Sequence, residues 1–241
     1  MSRLLRCAIV LIAVSMALPT ARAAEPVDLL LVLAADVSRS IDAKKFELQR
    51  DGYAAAVANP RVLDAIRSGR NGRIAVLFAE WSGLDNQKVV IDWMLIDGLK
   101  AAQEFGTRLL ESTRSFADRT SISGGIDFSV AQFARAPFTS ERRTIDVSGD
   151  GTNNAGRDVG AARDDALALG ITINGLVILS EAPLPWNPEH TNPPGGLANY
   201  YRNNVVGGPG AFVLQAKDFN SFGEAIIKKL IAEIADARPA R

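Results

Sequence analysis

The chain has 241 residues, of which 47% are hydrophobic and 22% are charged, enough apolar material to bury the core of one large domain. Its 27 basic and 27 acidic side chains cancel, so the composition gives no reason to expect a nucleic-acid partner. The single cysteine, Cys7, excludes a disulfide framework and a thiolate metal site.

The first 23 residues have the pattern of a secretory signal peptide. Arg3 and Arg6 give a basic start, an apolar stretch follows, and residues 21–23 form a small-residue cleavage site. The apolar stretch has about a dozen residues, fewer than the roughly 20 that span a bilayer, and no later segment is a candidate. We therefore expect a periplasmic or secreted bacterial protein whose mature chain, residues 24–241, has no transmembrane segment, no cysteine and a net charge near −3.

The first half of the mature chain predicts strands and helices in alternation. An unbroken apolar run at 27–35 is typical of a strand that is buried on both faces of a parallel sheet. A turn at 82–87 is short enough for a hairpin, so the strand that follows it is expected to be antiparallel and at a sheet edge. The predicted elements are a strand at 27–35, a helix at 41–58 with a helical turn to 66, strands at 73–81 and 89–95, and helices at 97–113 and 121–134.

The second half continues the alternation but contains one irregular segment. Strands are predicted at 143–148, 171–179 and 211–215, and helices at 158–169 and 219–234. The fold class is therefore α/β, a doubly wound, mostly parallel six-stranded sheet with helices on both faces and one antiparallel edge strand. We expect one domain over 24–241, interrupted by a Pro/Gly-rich insert at about 180–210.

The insert carries aromatic residues that have two interpretations. Trp186, Tyr200 and Tyr201 border the binding surface, or they pin a long loop onto the body of the domain. His190, the only histidine of the chain, is expected to be a surface residue of this insert rather than a catalytic base.

Hydroxyl and carboxylate residues follow the first predicted strand and recur at the ends of later elements. Asp36, Ser38 and Ser40 come directly after the first strand, Thr120 precedes a helix, and Asp150 follows the strand at 143–148. Ligands of open α/β sheets gather beyond the carboxyl ends of the strands, which predicts a shared site. An alternative is that Ser40 only caps the next helix and Asp36 only accepts turn hydrogen bonds.

This arrangement resembles the metal-ion-dependent adhesion site (MIDAS) of von Willebrand factor type A domains. That family has Asp-x-Ser-x-Ser, a later Thr before a Gly-Ile pair, and an Asp-Gly after the next strand; all five positions have a match, and the chain looks closest to an uncharacterised group of secreted bacterial members. The residue before Asp150 is Gly149, where the family often has Thr or Ser. The resemblance implies that the metal ligands are Asp36, Ser38, Ser40, Thr120 and Asp150.

Hard oxygen donors of this kind suit Mg²⁺, or another hard divalent cation such as Mn²⁺ or Ca²⁺, better than zinc or copper. We therefore expect a non-enzymatic, exported module that grips an acidic residue of a partner protein through the cation. Two alternatives remain: a metal-dependent hydrolase or phosphotransferase on the same fold, and a scaffold whose site does not bind metal.

Other motifs carry weaker signals. The segment from Asp146 to Gly151 resembles the first half of a calcium-binding loop, but the twelfth position is Arg157, where a bidentate Glu is required. Ser148 lacks the Gly-x-Ser-x-Gly context of a hydrolase nucleophile. An aspartyl-phosphate role for Asp36 usually has a second Asp two positions later, where this chain has Ser38.

Overall fold

The structure, a computed structural model, describes residues 24–179 and 183–235. The predicted signal peptide lies outside these residues. In chain order the described elements are β1 (Glu25–Pro26), β2 (Leu30–Asp36), α1 (Ala43–Val57), α2 (Pro60–Arg67), β3 (Ile74–Trp81), β4 (Gln87–Ile96), α3 (Leu99–Glu111), α4 (Ile122–Phe133), β5 (Phe138–Thr139), β6 (Arg143–Gly149), α5 (Val159–Ala168), β7 (Ile171–Ile178), α6 (Pro188–Thr191), α7 (Leu197–Asn204), β8 (Val213–Ala216) and α8 (Phe222–Ala235).

A six-stranded sheet forms the centre of the fold. Its strand order is β4-β3-β2-β6-β7-β8, and every neighbouring pair is parallel except β3 and β4. The predicted fold class and the antiparallel edge strand are therefore confirmed. The small parallel pair of β1 and β5 was not predicted, because two residues per strand are too few to show a period-2 pattern.

Strand β2 is buried on both faces, as its sequence predicts. Leu31 and Leu33 pack into the core beside α1, α3 and α8, whereas Val32 and Ala34 face the core beside α4 and α5. Alternate side chains of a strand point to opposite faces, so a strand between two helical layers must be apolar at every position.

The chain changes direction across the sheet at β2. It continues from β2 to β3 on one side, and later places β6 on the other side of β2. Loops that leave the carboxyl ends of β2 and β6 therefore separate and leave a crevice, which is where open α/β sheets bind ligands. Asp36 ends β2 and Asp150 follows β6, so two acidic residues border this crevice.

The insert is more ordered than its sequence indicated. It contains α6 and α7, of four and eight residues, where we predicted no regular structure. Prolines and glycines around these short helices hide their periodicity, and α7 buries Leu197 and Tyr201 against the sheet. Among the described residues, no helix is long and apolar enough to cross a membrane.

Candidate metal centre

The turn between β2 and α1 leaves Ser40 available for the crevice. Helix α1 is capped by Asp42, whose carboxylate accepts a hydrogen bond of 2.9 Å from the Lys45 amide. The interpretation of Ser40 as the helix cap is therefore wrong. Its hydroxyl is used elsewhere.

The last residue of β2, two residues of the loop that follows it and one residue of the loop after β6 contact each other in the crevice. The Ser40 Oγ donates to Asp150 Oδ1 at 2.6 Å, across 110 positions of sequence, and the Ser38 and Ser40 Oγ atoms are 3.1 Å apart. Asp36 Oδ1 accepts the Ser38 amide at 2.7 Å. The structure thus brings together four of the five predicted ligand residues.

Asp36 is fully buried, and one of its two carboxylate oxygens lacks a hydrogen-bond partner among the described residues. That oxygen is Oδ2. Burial, and next the negative charge of Asp150, raise the pKa of Asp36 from 3.8 to about 7, against the hydrogen bonds from Ser38. A buried carboxylate with an unpartnered oxygen and a second carboxylate nearby is stabilised by a cation. This environment fits the metal that the sequence resemblance implies.

Thr120 lies at the mouth of the same crevice. It precedes α4, which Ser121 caps by accepting the Gly124 amide at 3.1 Å. The described residues show no direct hydrogen bond between Thr120 and the other four candidates, but Thr120 and Ser40 both line a recess of about 90 Å³. Thr120 therefore lies at the same edge of the sheet as the other four.

His190 contacts Thr120, which corrects the prediction that this histidine is a surface residue. Only 5% of His190 is exposed, and its Nε2 lies 3.2 Å from Thr120 Oγ1. Burial lowers the pKa of His190, while the negative charge of Asp150 opposes this effect. The imidazole is therefore held in its neutral form. The sequence offered no signal for this contact, because 70 positions separate the two residues.

The hydrogen bonds around His190 decide which ring nitrogen carries the proton. The Asn154 Oδ1 accepts the Thr120 amide at 2.9 Å, so the Asn154 Nδ2 is the amide group that faces His190 Nδ1, at 3.4 Å. Because an amide nitrogen can only donate, this contact favours a neutral ring with its proton on Nε2, and the Thr152 hydroxyl, 3.3 Å from Nδ1, is then a second donor to that nitrogen. The imidazole therefore donates to Thr120 Oγ1 and fixes the position of this hydroxyl.

Lys45 adds a positive charge to the centre. Its Nζ donates to the Ser40 carbonyl at 2.9 Å and lies 3.4 Å from Asp150 Oδ2. The ammonium also lies 5.1 Å from the centroid of the Phe219 ring. Lys45 could not be identified from the sequence, because a lysine in the first turn of a helix is usually solvated.

Gly149 departs from the family pattern for a steric reason. A Cβ at this position would lie 2.5 Å from the Tyr201 hydroxyl and 3.1 Å from Asp36 Oδ2, closer than side chains tolerate. Tyr201, which belongs to α7 of the insert and is fully buried, therefore occupies the space that a Ser or Thr at 149 would need. The insert contributes directly to the surroundings of Asp36.

Two arginines fix the loops around the centre. Arg114 donates to the carbonyls of Val37 and Ser38 at 2.6 and 2.8 Å, which ties the segment before Thr120 to the loop after β2. The buried pair of Arg50 and Glu80 fixes the same segment, because Glu80 accepts a hydrogen bond from the Ser115 amide at 2.9 Å. The loop geometry thus depends on buried charge as well as on packing.

The aromatic residues of the insert divide between the two interpretations. Tyr200 and Tyr201 pin the insert: the Tyr200 hydroxyl accepts the Asn153 amide at 3.1 Å, and Tyr201 is in the core. Trp186 is 73% exposed and lines the recess above Ser40 and Thr120. It borders the candidate binding surface.

The weaker motifs have structural explanations. Asp146 is buried and lies 2.7 Å from Lys229 Nζ, which does not suit a calcium loop, and Ser148 accepts a hydrogen bond of 2.9 Å from Tyr53. Within 24–179 and 183–235, no group of three or more His, Cys, Asp or Glu residues could hold a metal.

Comparison with solved structures shows the von Willebrand factor type A fold. The chain is similar to proximal thread matrix protein 1 from the mussel byssus with a zinc-occupied MIDAS motif (TM-score 0.60, 16% identity, 88% of this chain and 49% of that one). It is also similar to the pilus adhesin SpaC of Lactobacillus rhamnosus GG (0.61, 11%, 89% and 31%) and to a von Willebrand factor type A protein of Catenulispora acidiphila (0.52, 16%, 89% and 43%). The chain thus spans half or less of the length of these proteins.

The sequence comparisons give one family. Residues 26–238 match the family described as "Protein of unknown function (DUF1194)". No curated protein sequence matches the chain.

Proposed function

This chain belongs to the DUF1194 family, and we propose from its site that it is an exported protein-binding module that depends on a divalent cation. Asp36, Ser38, Ser40, Thr120 and Asp150 would hold the cation. An acidic residue of a partner protein would bind at the same place. The von Willebrand factor type A fold supports a metal-dependent, adhesion-type module in general; the ligands and the partner are our proposal.

One observation carries the proposal. The Ser40 hydroxyl reaches Asp150 at 2.6 Å beside the buried Asp36, whose Oδ2 has no partner among the described residues. Two nearby buried carboxylates repel each other; the Lys45 ammonium pairs with Asp150, and a divalent ion would offset the charge that remains on Asp36. Neither a helix cap nor a simple turn accounts for this arrangement.

The chemistry of the donors favours a hard cation. Carboxylate and hydroxyl oxygens are the ligands that Mg²⁺, Mn²⁺ and Ca²⁺ prefer, and the Nε2–H of His190 directs the Thr120 hydroxyl. When bound, the cation supplies an electron-poor position for an outside carboxylate oxygen. Mg²⁺ is our first choice among these ions, and zinc in the mussel protein's motif supports a divalent ion in general.

The proposed partner is a protein outside the cytoplasm. The predicted signal peptide supports export to the periplasm or beyond. A matrix protein and a pilus adhesin among the similar structures support binding to another protein rather than catalysis. Trp186 at the rim offers the partner an apolar contact next to the cation.

Calorimetric titration of the purified protein with Mg²⁺ and Mn²⁺ tests the metal site. We expect saturable binding by the wild type and none by Asp36→Ala. Asp64→Ala is the matched control, because the Asp64 side chain is 71% exposed and pairs with Arg67 on the surface of α2; it should bind as the wild type does. Equal traces for all three proteins would contradict a working site.

Affinity capture from envelope extracts tests the binding function. The immobilised wild type should retain a partner in Mg²⁺ and release it in EDTA, and Asp36→Ala should retain none. The hydrolase or phosphotransferase alternative predicts instead that the protein turns over members of a phosphoester panel and that turnover requires Asp36. A protein that binds Mg²⁺ but neither captures a partner nor turns over a substrate would contradict both functions.

A further inference from the structure

Lys45 is the only ammonium that the described residues place against the proposed metal centre. Its Nζ donates to the Ser40 carbonyl at 2.9 Å and lies 3.4 Å from Asp150 Oδ2. The side chain is 25% exposed, whereas Asp150 is fully buried. Since Ser40 and Asp150 are both proposed ligands, the ammonium lies close enough to the proposed centre to act electrostatically on a bound ion.

The position of Lys45 is held from three directions. Its backbone is in the first turn of α1, fixed by the Asp42 cap; its Nζ is hydrogen-bonded to Ser40; and the Phe219 ring lies 5.1 Å from the ammonium. Solvent and salt screen the electrostatic interactions of an ammonium less when it lies near an aromatic ring and a buried carboxylate than when it is fully exposed. Lys45 is therefore a fixed charge, unlike a mobile surface lysine.

The charge balance of the centre changes because of Lys45. The two carboxylates of Asp36 and Asp150 carry −2, which a divalent ion alone would cancel. The Lys45 ammonium makes the centre more positive by one unit, both with and without the ion. Like charges repel and opposite charges attract most strongly at short range in partly buried surroundings, so the lysine acts with opposite sign on the two binding steps.

We propose that Lys45 is a specificity-determining residue of this site, which weakens the binding of the divalent ion and strengthens the binding of an anionic carboxylate to the loaded site. The inference rests on the proposed function. It defines the partner group as a charged carboxylate rather than a neutral carbonyl or hydroxyl oxygen, because only a charged group gains from the additional positive charge.

The test measures the two steps separately in four proteins: the wild type, Lys45→Met, Lys45→Arg, and Lys44→Met as the matched control. Lys44 is the exposed neighbour in α1, so its removal changes the net charge of the chain equally. Calorimetry gives the Mg²⁺ and Mn²⁺ affinities. Paramagnetic relaxation of the methyl protons of acetate by protein-bound Mn²⁺ gives the carboxylate affinity, and acetamide serves as the neutral probe.

We expect Lys45→Met to bind Mg²⁺ and Mn²⁺ about tenfold more tightly and acetate about tenfold more weakly, a factor equal to about 1.4 kcal/mol in each step. Lys45→Arg and Lys44→Met should resemble the wild type, and acetamide should not distinguish the variants. A Lys45→Met protein whose two affinities change in the same direction, or not at all, would overturn the inference while the metal-dependent site stands. If the wild type binds neither metal, the proposed function itself fails.

Discussion

Asp36 is a residue whose environment favours its neutral form. Its folded-state pKa is about 7, against an ordinary value of 3.8. Between these two pH values the carboxyl group is therefore protonated in the folded protein and ionised in the unfolded chain. We therefore predict that the free energy of unfolding of the metal-free protein falls from about pH 4 to about pH 7, by at most about 1.4 kcal/mol per pH unit from this group. Urea unfolding in EDTA at several pH values measures this.

Asp36→Asn isolates this contribution, because the amide oxygen can still accept the Ser38 amide. The variant should be more stable than the wild type at pH 7.5 without metal, and this advantage should shrink towards pH 4.5. Part of the fall should persist in Asp36→Asn, because burial also raises the pKa of Asp146 to about 7. A variant that is less stable than the wild type by the same amount at every pH would contradict the prediction.

His190 supports the proposed site through a single hydrogen bond to Thr120. We predict that His190→Leu lowers the Mg²⁺ affinity by about 10-fold or more, the usual cost of losing a group that orients a metal ligand. His190→Gln keeps an N–H donor near the Nε2 position and should recover most of the affinity. Calorimetric titration of both variants measures the difference.

The thermal midpoint of each metal-free His190 variant serves as the control for folding. Both substitutions remove the contacts of the ring with Thr152 and Asn154, so a merely structural role predicts equal losses of affinity. Equal Mg²⁺ affinities for the Leu and Gln variants would therefore remove His190 from the site.

Helix α8 is joined to the sheet by a buried ion cluster. Lys229 Nζ lies 2.7 Å from Asp146 Oδ1 on β6 and 2.5 Å from Glu233 Oε1, and the side chains of all three are fully buried. We predict that Lys229→Met destabilises the protein by about 3 to 5 kcal/mol, because it leaves two buried carboxylates without their cation. Denaturant unfolding measures the loss.

Lys228→Met is the matched control, since Lys228 forms an exposed pair with Glu224 on the same helix and its removal should cost about 0.5 kcal/mol or less. The double variant Lys229→Met with Asp146→Asn should recover part of the loss. If Lys228→Met and Lys229→Met are equally stable, the buried cluster does not anchor α8.

The predictability of each element depended on its length and on the range of its contacts. Strand β2 and helix α8 could be predicted because their own apolar residues report burial. Helix α7 could not, because glycines precede its eight residues and its burial comes from Tyr201 packing on distant strands. Local patterns identify elements that carry their own periodicity and miss elements that tertiary packing maintains.

The candidate site divides in a similar way. Asp36, Ser38, Ser40 and Asp150 could be placed from the rule that loops at the carboxyl ends of parallel strands converge. His190, Lys45 and Tyr201 could not be placed, since they depend on how the insert and α1 fold back over those loops. A sequence motif identifies candidate ligands, while the groups that orient and charge them come from the three-dimensional arrangement.

For the whole molecule, metal binding and folding should be coupled. The proposed ligands come from three loops that only the folded chain brings together, so the ion should bind the folded state alone. At Mg²⁺ concentrations about 100 times the dissociation constant, we predict about 2.7 kcal/mol of added stability, or roughly 5–10 °C in the thermal midpoint for a chain of this size. Thermal melts with and without EDTA measure the shift.

Asp36→Ala should melt at the same temperature with Mg²⁺ and with EDTA, whatever its own stability. Asp64→Ala should keep the shift of the wild type. A wild-type midpoint that does not respond to saturating Mg²⁺ would separate ion binding from the fold and argue against a site made of three loops.

The close approach of Tyr201 to Gly149 limits how this protein can be re-engineered. Grafting another chain's segment in place of residues 183–210 would withdraw the phenol ring and open a void beside Asp36 that water can enter. The carboxyl group would then be hydrated and ionise more readily. The pKa of Asp36 would therefore fall, although the Asp-x-Ser-x-Ser motif itself is unchanged. Chimeras of this fold should therefore exchange position 149 together with the insert.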